Sequence, residues 1–165
     1  MTWARLGILL PLFLAQFSWS AVAADDPLII ELSAQAGGQQ QAARGRAVTA
    51  APAAGVARPV LTAKTRERLR IRWSVMNQEK TGSITGVTVH VVLDRDISAD
   101  RAPVATDVLY ESAILTDLTA QRRSTGDFVV EAPDPGTYRL RVETIGAAKT
   151  RGSEFVASIN VQVVP

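Results

Sequence analysis

Apolar and polar residues alternate with period two over most of the chain beyond residue 58, and that alternation predicts strands. In "ERLRIRWSVMN" (67–77), Leu69, Ile71, Trp73 and Val75 fall on one face, and Arg68, Arg70, Arg72 and Ser74 on the other. "VTVHVVLDR" (87–95) sets Val87, Val89, Val91 and Leu93 inward against Thr88, His90 and Asp94. "GTYRLRVETI" (136–145) sets Tyr138, Leu140 and Val142 against Arg139, Arg141 and Glu143. "EFVASINVQVV" (154–164) alternates Phe155, Ala157, Ile159, Val161 and Val163 with mostly polar neighbours. "RPVLTA" (58–63) is a short strand whose Pro59 suits a sheet edge. "VLYESAILTDL" (108–118) alternates less cleanly, and "GDFVVEAP" (126–133) turns Phe128 and Val130 inward. Seven strands with one apolar face each, and no convincing helix, predict an all-β fold of two antiparallel sheets packed face to face.

The chain before residue 58 follows other rules. Residues 6–17, "LGILLPLFLAQF", are apolar, follow one positive charge, and lead into "SWSAVAA" with its Ala21-Val22-Ala23 small-residue pattern. Those features predict a signal peptide over residues 1–24 and an exported product, periplasmic or at the cell surface. The run is short of the about 20 residues a membrane span needs, which leaves an uncleaved anchor as the lesser alternative. Residues 33–57 are rich in Ala, Gln and Gly with almost no large apolar side chain. Such a stretch buries too little surface to offset its ordering entropy, so residues 25–57 read as an N-terminal segment and flexible tether. The apolar run at residues 27–32, "PLIIEL", has the length for a strand docking back on the domain, and that possibility stays open. The sandwich itself is assigned to residues 58–165.

Composition narrows the chemistry. The chain has no cysteine, so disulfides cannot support an exported fold and its core must hold it unaided. Charge is uneven: residues 27–72 carry eight basic and two acidic residues, and residues 73–165 carry nine and twelve. With three lysines in all, this is not the balance of a nucleic-acid-binding protein.

Three motifs carry a resemblance: "LRIRWSVMNQE", "STGDFVVEAPDPGTYRLRVET" and the closing "FVASINVQVV". Their order resembles bacterial immunoglobulin-like and fibronectin-III-like sandwiches, and more narrowly the cell-adhesion-related domain of bacterial surface proteins, over about residues 58–164. The resemblance implies a seven-stranded immunoglobulin-like β-sandwich. It also implies that Tyr138, after the turn "DPG", acts as a tyrosine corner whose hydroxyl bonds back to the backbone. Leu140 stands where a disulfide-bonded relative would have cysteine. The loop "GAAKTRGSE" departs from the acidic, Asn-rich loop common in such domains, which removes the oxygen donors a calcium site needs. Trp73 reads as the core anchor between the sheets.

No catalytic constellation emerges. His90 is the single histidine, and Asp94 on the same strand face lies about 13 Å along, too far to share a proton or an ion. His90 is expected to be an exposed structural residue. Metal, cofactor and catalytic residues are therefore all expected to be absent, and the chain is read as a non-enzyme. The basic stripe is the remaining candidate. Asp127 and Glu131 on the neighbouring strand are expected to face Arg70 and Arg72. Lys64, Arg66 and Arg68 are left as a possible contact for an anionic surface polymer or acidic partner protein. The expected function is adhesion, assembly or partner binding. The alternative, a periplasmic accessory or chaperone-like subunit, would show an apolar groove along the last strand.

Overall fold

The computed structural model describes residues 27–47, 57–96, 107–146 and 155–165. Among them the fold is all-β, with ten strands in two packed sheets. The strands are β1 (Leu28–Ala36), β2 (Gln39–Arg44), β3 (Arg46–Ala47), β4 (Val60–Lys64), β5 (Arg68–Asn77), β6 (Ser83–Arg95), β7 (Val108–Thr119), β8 (Arg123–Glu131), β9 (Gly136–Ile145) and β10 (Phe155–Val164). One sheet has the order β2-β1-β5-β8, and the other runs β3-β10-β9-β6-β7, with β4 also paired to β10. Among the described residues no helix is long and apolar enough to cross a membrane.

The seven strands expected beyond residue 58 are present, and the apolar face expected of each turns inward. Leu69, Ile71 and Val75 of β5, Val87, Val89, Val91 and Leu93 of β6, and Leu140 and Val142 of β9 are all buried. Trp73 is 5% exposed in the same layer. It lies so close over Gly126, its cross-strand partner, that a Cβ there would fall 2.6 Å from three atoms of the indole. Tyr138 is fully buried and its hydroxyl donates to the carbonyl of Asp134 at 2.7 Å, which fixes the turn before β9. Leu140 sits between Leu93 and Ile159 in register.

Three expectations fail. The count is ten rather than seven, because three strands form in the stretch read as a segment and tether. That stretch is not a tether over residues 33–44: β1 is an interior strand, paired to β5 on one side and β2 on the other. Its inward set runs Leu28, Ile30, Leu32, Ala34 and Ala36, all buried. Alanine counts as core where facing side chains come close, so a shortage of large residues did not mean a shortage of burial. The Gly37-Gly38 pair within it is a two-residue hairpin loop with φ of 52° and 79°. Positive φ at both positions suits the right-handed twist of the flanking strands, and glycine adopts it without strain. Residues 48–56 of the expected tether and the expected signal peptide, residues 1–24, lie outside the described residues. The sheets are also not wholly antiparallel, since β4 pairs parallel with β10.

The last strand is likewise not a groove. β10 is interior, flanked by β9 on one side and by β3 and β4 on the other, so the apolar groove expected of an accessory subunit is absent there.

Burial of Leu28, Ile30 and Leu32 contributes about 1.5–3 kcal/mol per side chain. Their sum is comparable with the whole stability of a small domain. A chain lacking residues 27–47 is therefore predicted to lose its cooperative thermal transition by circular dichroism. A tether deletion would leave the midpoint unchanged. Gly126→Ala is predicted to destabilise by about 1–3 kcal/mol in urea unfolding, because the added methyl falls within the van der Waals contact of the Trp73 indole and one of the two must shift.

Candidate functional site

The basic cluster of the sequence does not assemble. Lys64 ends β4 and points outward from the six-stranded sheet, while Arg68 begins β5 and points outward from the four-stranded one. The two sheets lie roughly 10 Å apart, so these side chains leave opposite faces of the sandwich. Arg66 occupies the crossover between them with φ of 64°. Glu67 joins the same corner, its carboxylate accepting the Lys64 backbone N–H at 2.8 Å. Across the sheet, β5 and β8 are antiparallel neighbours and Arg72 meets an acidic residue, both as expected, but Arg70 does not. Arg68 faces Glu131, Arg70 faces Val129, and Arg72 faces Asp127.

The charged network lies instead on the outer face of the six-stranded sheet. His90 on β6 stands between Glu111 of β7 and Glu143 of β9, with Nε2 2.7 Å from one carboxylate and Nδ1 2.8 Å from the other. Glu143 is its direct cross-strand partner, and Glu111 reaches it diagonally from opposite Val92. His90 is half-buried rather than exposed, its side chain 16% accessible. Burial disfavours the imidazolium, but the hydrogen bonds and charges of Glu143 and Glu111 outweigh it and hold the pKa above the ordinary 6.5.

One turn of the pleat further on, Asp94 is buried and directly opposite Arg139. Arg139 donates to both its oxygens, Nε at 3.3 Å and Nη2 at 3.0 Å, and Arg141 Nη1 adds a third bond at 3.0 Å. Arg141 Nε in turn approaches Glu143 to 3.8 Å. The ladder Glu111–His90–Glu143–Arg141–Asp94–Arg139 thus ties β7, β6 and β9 together. His90 and Asp94, too far apart along β6 to meet, both find partners across strands. The outward set was legible from alternation; its pairing required the register.

The outer ladder does not hold an ion. Among the described residues no three or more histidine or carboxylate side chains are placed to bind a metal.

A second feature is the flank at β7. β7 pairs with β6 and has no further strand beside it among the described residues. Ile114 is opposite the inward Val89, so it points toward the space between the sheets, yet it is 41% exposed. Leu115 and Leu109 point the other way and are 73% and 46% exposed. Tyr110 reaches across to Phe128 of β8, the rings stacked at 4.2 Å and 11°, and closes one part of this mouth. The other open edges are guarded differently. β2 is "QQQAAR", β8 carries outward Arg123, Asp127 and Glu131, and β4 is short, follows Pro59 and ends in Lys64. β7 is twelve residues long and contains no Lys, Arg or Pro.

No protein-family model matches the chain, and no curated protein matches it significantly. Among solved structures the chain is similar to the crystal structure of the C-terminal domain of wzt, at 11% identity and a TM-score of 0.44, over 81% of this chain and 71% of that one. A likeness so loose carries no argument about function.

The ladder makes two predictions. Because the folded state raises the His90 pKa, its contribution to stability is full below about pH 6.5 and is lost as pH rises through the folded value. Urea midpoints of the wild type are predicted to fall over that range relative to those of His90→Gln, and parallel profiles would contradict this. Asp94→Asn removes the carboxylate charge that Arg139 and Arg141 share, and is predicted to lower stability by about 1–3 kcal/mol at pH 7 by denaturant titration.

Proposed function

We propose that this is an exported, non-catalytic sandwich of the immunoglobulin-like type that binds a partner protein by accepting an extended segment along β7. The observation that carries the reading is Ile114, an inward-facing aliphatic residue that the fold leaves open to solvent. An unpaired strand edge offers a row of N–H and C=O groups, and exposed apolar side chains on both of its faces add contact area for the incoming chain. Edge strands are ordinarily blunted by charge, proline or brevity; β8 carries outward Arg123, Asp127 and Glu131 and β4 is short and follows Pro59, whereas Leu109, Ile114 and Leu115 of β7 stay exposed. Export is supported by the apolar run and small-residue pattern of residues 6–24.

An anionic polymer fits less well. Lys64, Arg66 and Arg68 are spread around a corner that also contains Glu67, so they present no continuous basic surface.

Ile114→Lys places a charge at the mouth without emptying a buried site. The variant is predicted to keep its thermal midpoint to within a few degrees and to lose the proteins that the wild type retains from the exported fraction of its host. Equal retention by both proteins would sink the β7 reading.

A further inference from the structure

The charges around β7 constrain what can dock there, and the inference that follows rests on β7 being the docking edge. We propose that the incoming segment alternates basic and apolar residues, and that His90 competes with its basic residues for Glu111, so that docking tightens when His90 gives up its proton.

The alternation follows from strand geometry. A strand laid beyond β7 sends successive side chains to opposite faces of the extended sheet. On the mouth side they meet Ile114 and the stacked Tyr110 and Phe128, where an apolar side chain removes exposed apolar surface. On the outer side they meet Glu111, whose side chain is 58% exposed near the middle of β7. From residue 107 to 119 the chain has three acidic residues, Asp107, Glu111 and Asp117, and no basic one. Asp107 is buried, and Asp117 already accepts the Gly86 N–H at 2.8 Å. Glu111 is therefore the acidic group best placed to meet a cation from outside, and complementary charge is what an arriving strand can supply.

The competition follows from proton counting. A charged His90 has two N–H groups and serves Glu111 and Glu143 together. A neutral imidazole has one, and its other nitrogen then presents a lone pair to a carboxylate. Glu143 is 17% exposed and also approached by Arg141, so it keeps the remaining N–H, and the more exposed Glu111 is released. The charged groups facing His90 are Glu111 from β7, and Glu143 with Arg141 from β9. Asp94, further along β6, is committed to Arg139 and Arg141. Loss of the proton takes the Glu111–His90–Glu143 set from a net charge of −1 to −2 and leaves the added negative charge at the docking edge. By linkage, a bound basic segment makes that proton easier to lose.

The test uses the full chain and two nine-residue synthetic peptides, one alternating Lys and Val and one alternating Glu and Val. Binding is measured at pH 5.5 and pH 8 at constant ionic strength, and hydrogen exchange of residues 108–119 reports where the peptide sits. The Lys-Val peptide is expected to bind about two- to fivefold more tightly at pH 8, the range a single cross-strand charge pair supports, and to protect β7. His90→Gln should bind it at both pH values as the wild type does at pH 8, and Glu111→Gln should bind it more weakly at both. A pH response that persists in His90→Gln, or Glu-Val binding equal to Lys-Val binding, overturns the proposal. If Ile114→Lys abolishes binding but charge and pH have no effect, the docking edge stands and the chemistry assigned to it fails. If neither peptide protects β7, both fail.

Discussion

Four strands cannot cover five. Among the described residues the four-stranded sheet lies against a sheet that is five strands across, since β3 and β4 share one flank of β10. With no disulfide to tighten the margin, coverage is decided by apolar packing alone. The interior strands β1, β5, β6, β9 and β10 bury their inward faces almost completely, and the shortfall falls on β7. A strand in the middle of a sheet would hide Ile114; at this margin the same alternation leaves it exposed. The distinctive surface of the molecule is thus a consequence of sheet width.

The outer face of the six-stranded sheet deals with the same margin by charge. An edge strand has one neighbour, and β7 shifts register twice against β6. Its attachment gains from the Glu111–His90–Glu143 bridge, which spans three strands. Asp94 with Arg139 and Arg141 secures the interior β6–β9 pair regardless of pH in the neutral range, because guanidinium groups remain charged there. His90, which titrates near neutrality, links β6 to both β7 and β9. The interior pair β6–β9 keeps the Asp94 cluster beside its His90 contact, whereas β7 is joined to this charged network through His90 alone.

Much of this was legible in the sequence, and the misses have physical causes. Period-two alternation located seven strands and their inward faces, down to Trp73, Tyr138 and Leu140, because a half-buried strand writes its orientation into every second residue. Alternation is silent about register: Asp127 lies opposite Arg72 as expected, but Glu131 lies opposite Arg68 and leaves Arg70 facing Val129. The same silence hid the partners of His90, which come from β7 and β9 and not from its own strand. The segment "SAQAGGQQQAAR" was misread because side-chain size stood in for burial. Ala34 and Ala36 are buried, and the Gly37-Gly38 pair is a hairpin loop. The openness of β7 depends on how many strands each sheet contains, and the count was wrong while β1 was left out.

Residue-resolved hydrogen exchange shows directly whether the outer edge of β7 is free in the isolated protein. Amides of β7 that point toward β6 should be protected, and alternate ones that point away should exchange orders of magnitude faster, giving a period-two pattern over residues 108–119. β10, paired on both sides, should show no such alternation where it is flanked. Uniform protection along β7, matching β10, would mean that the edge is already covered and would contradict the account.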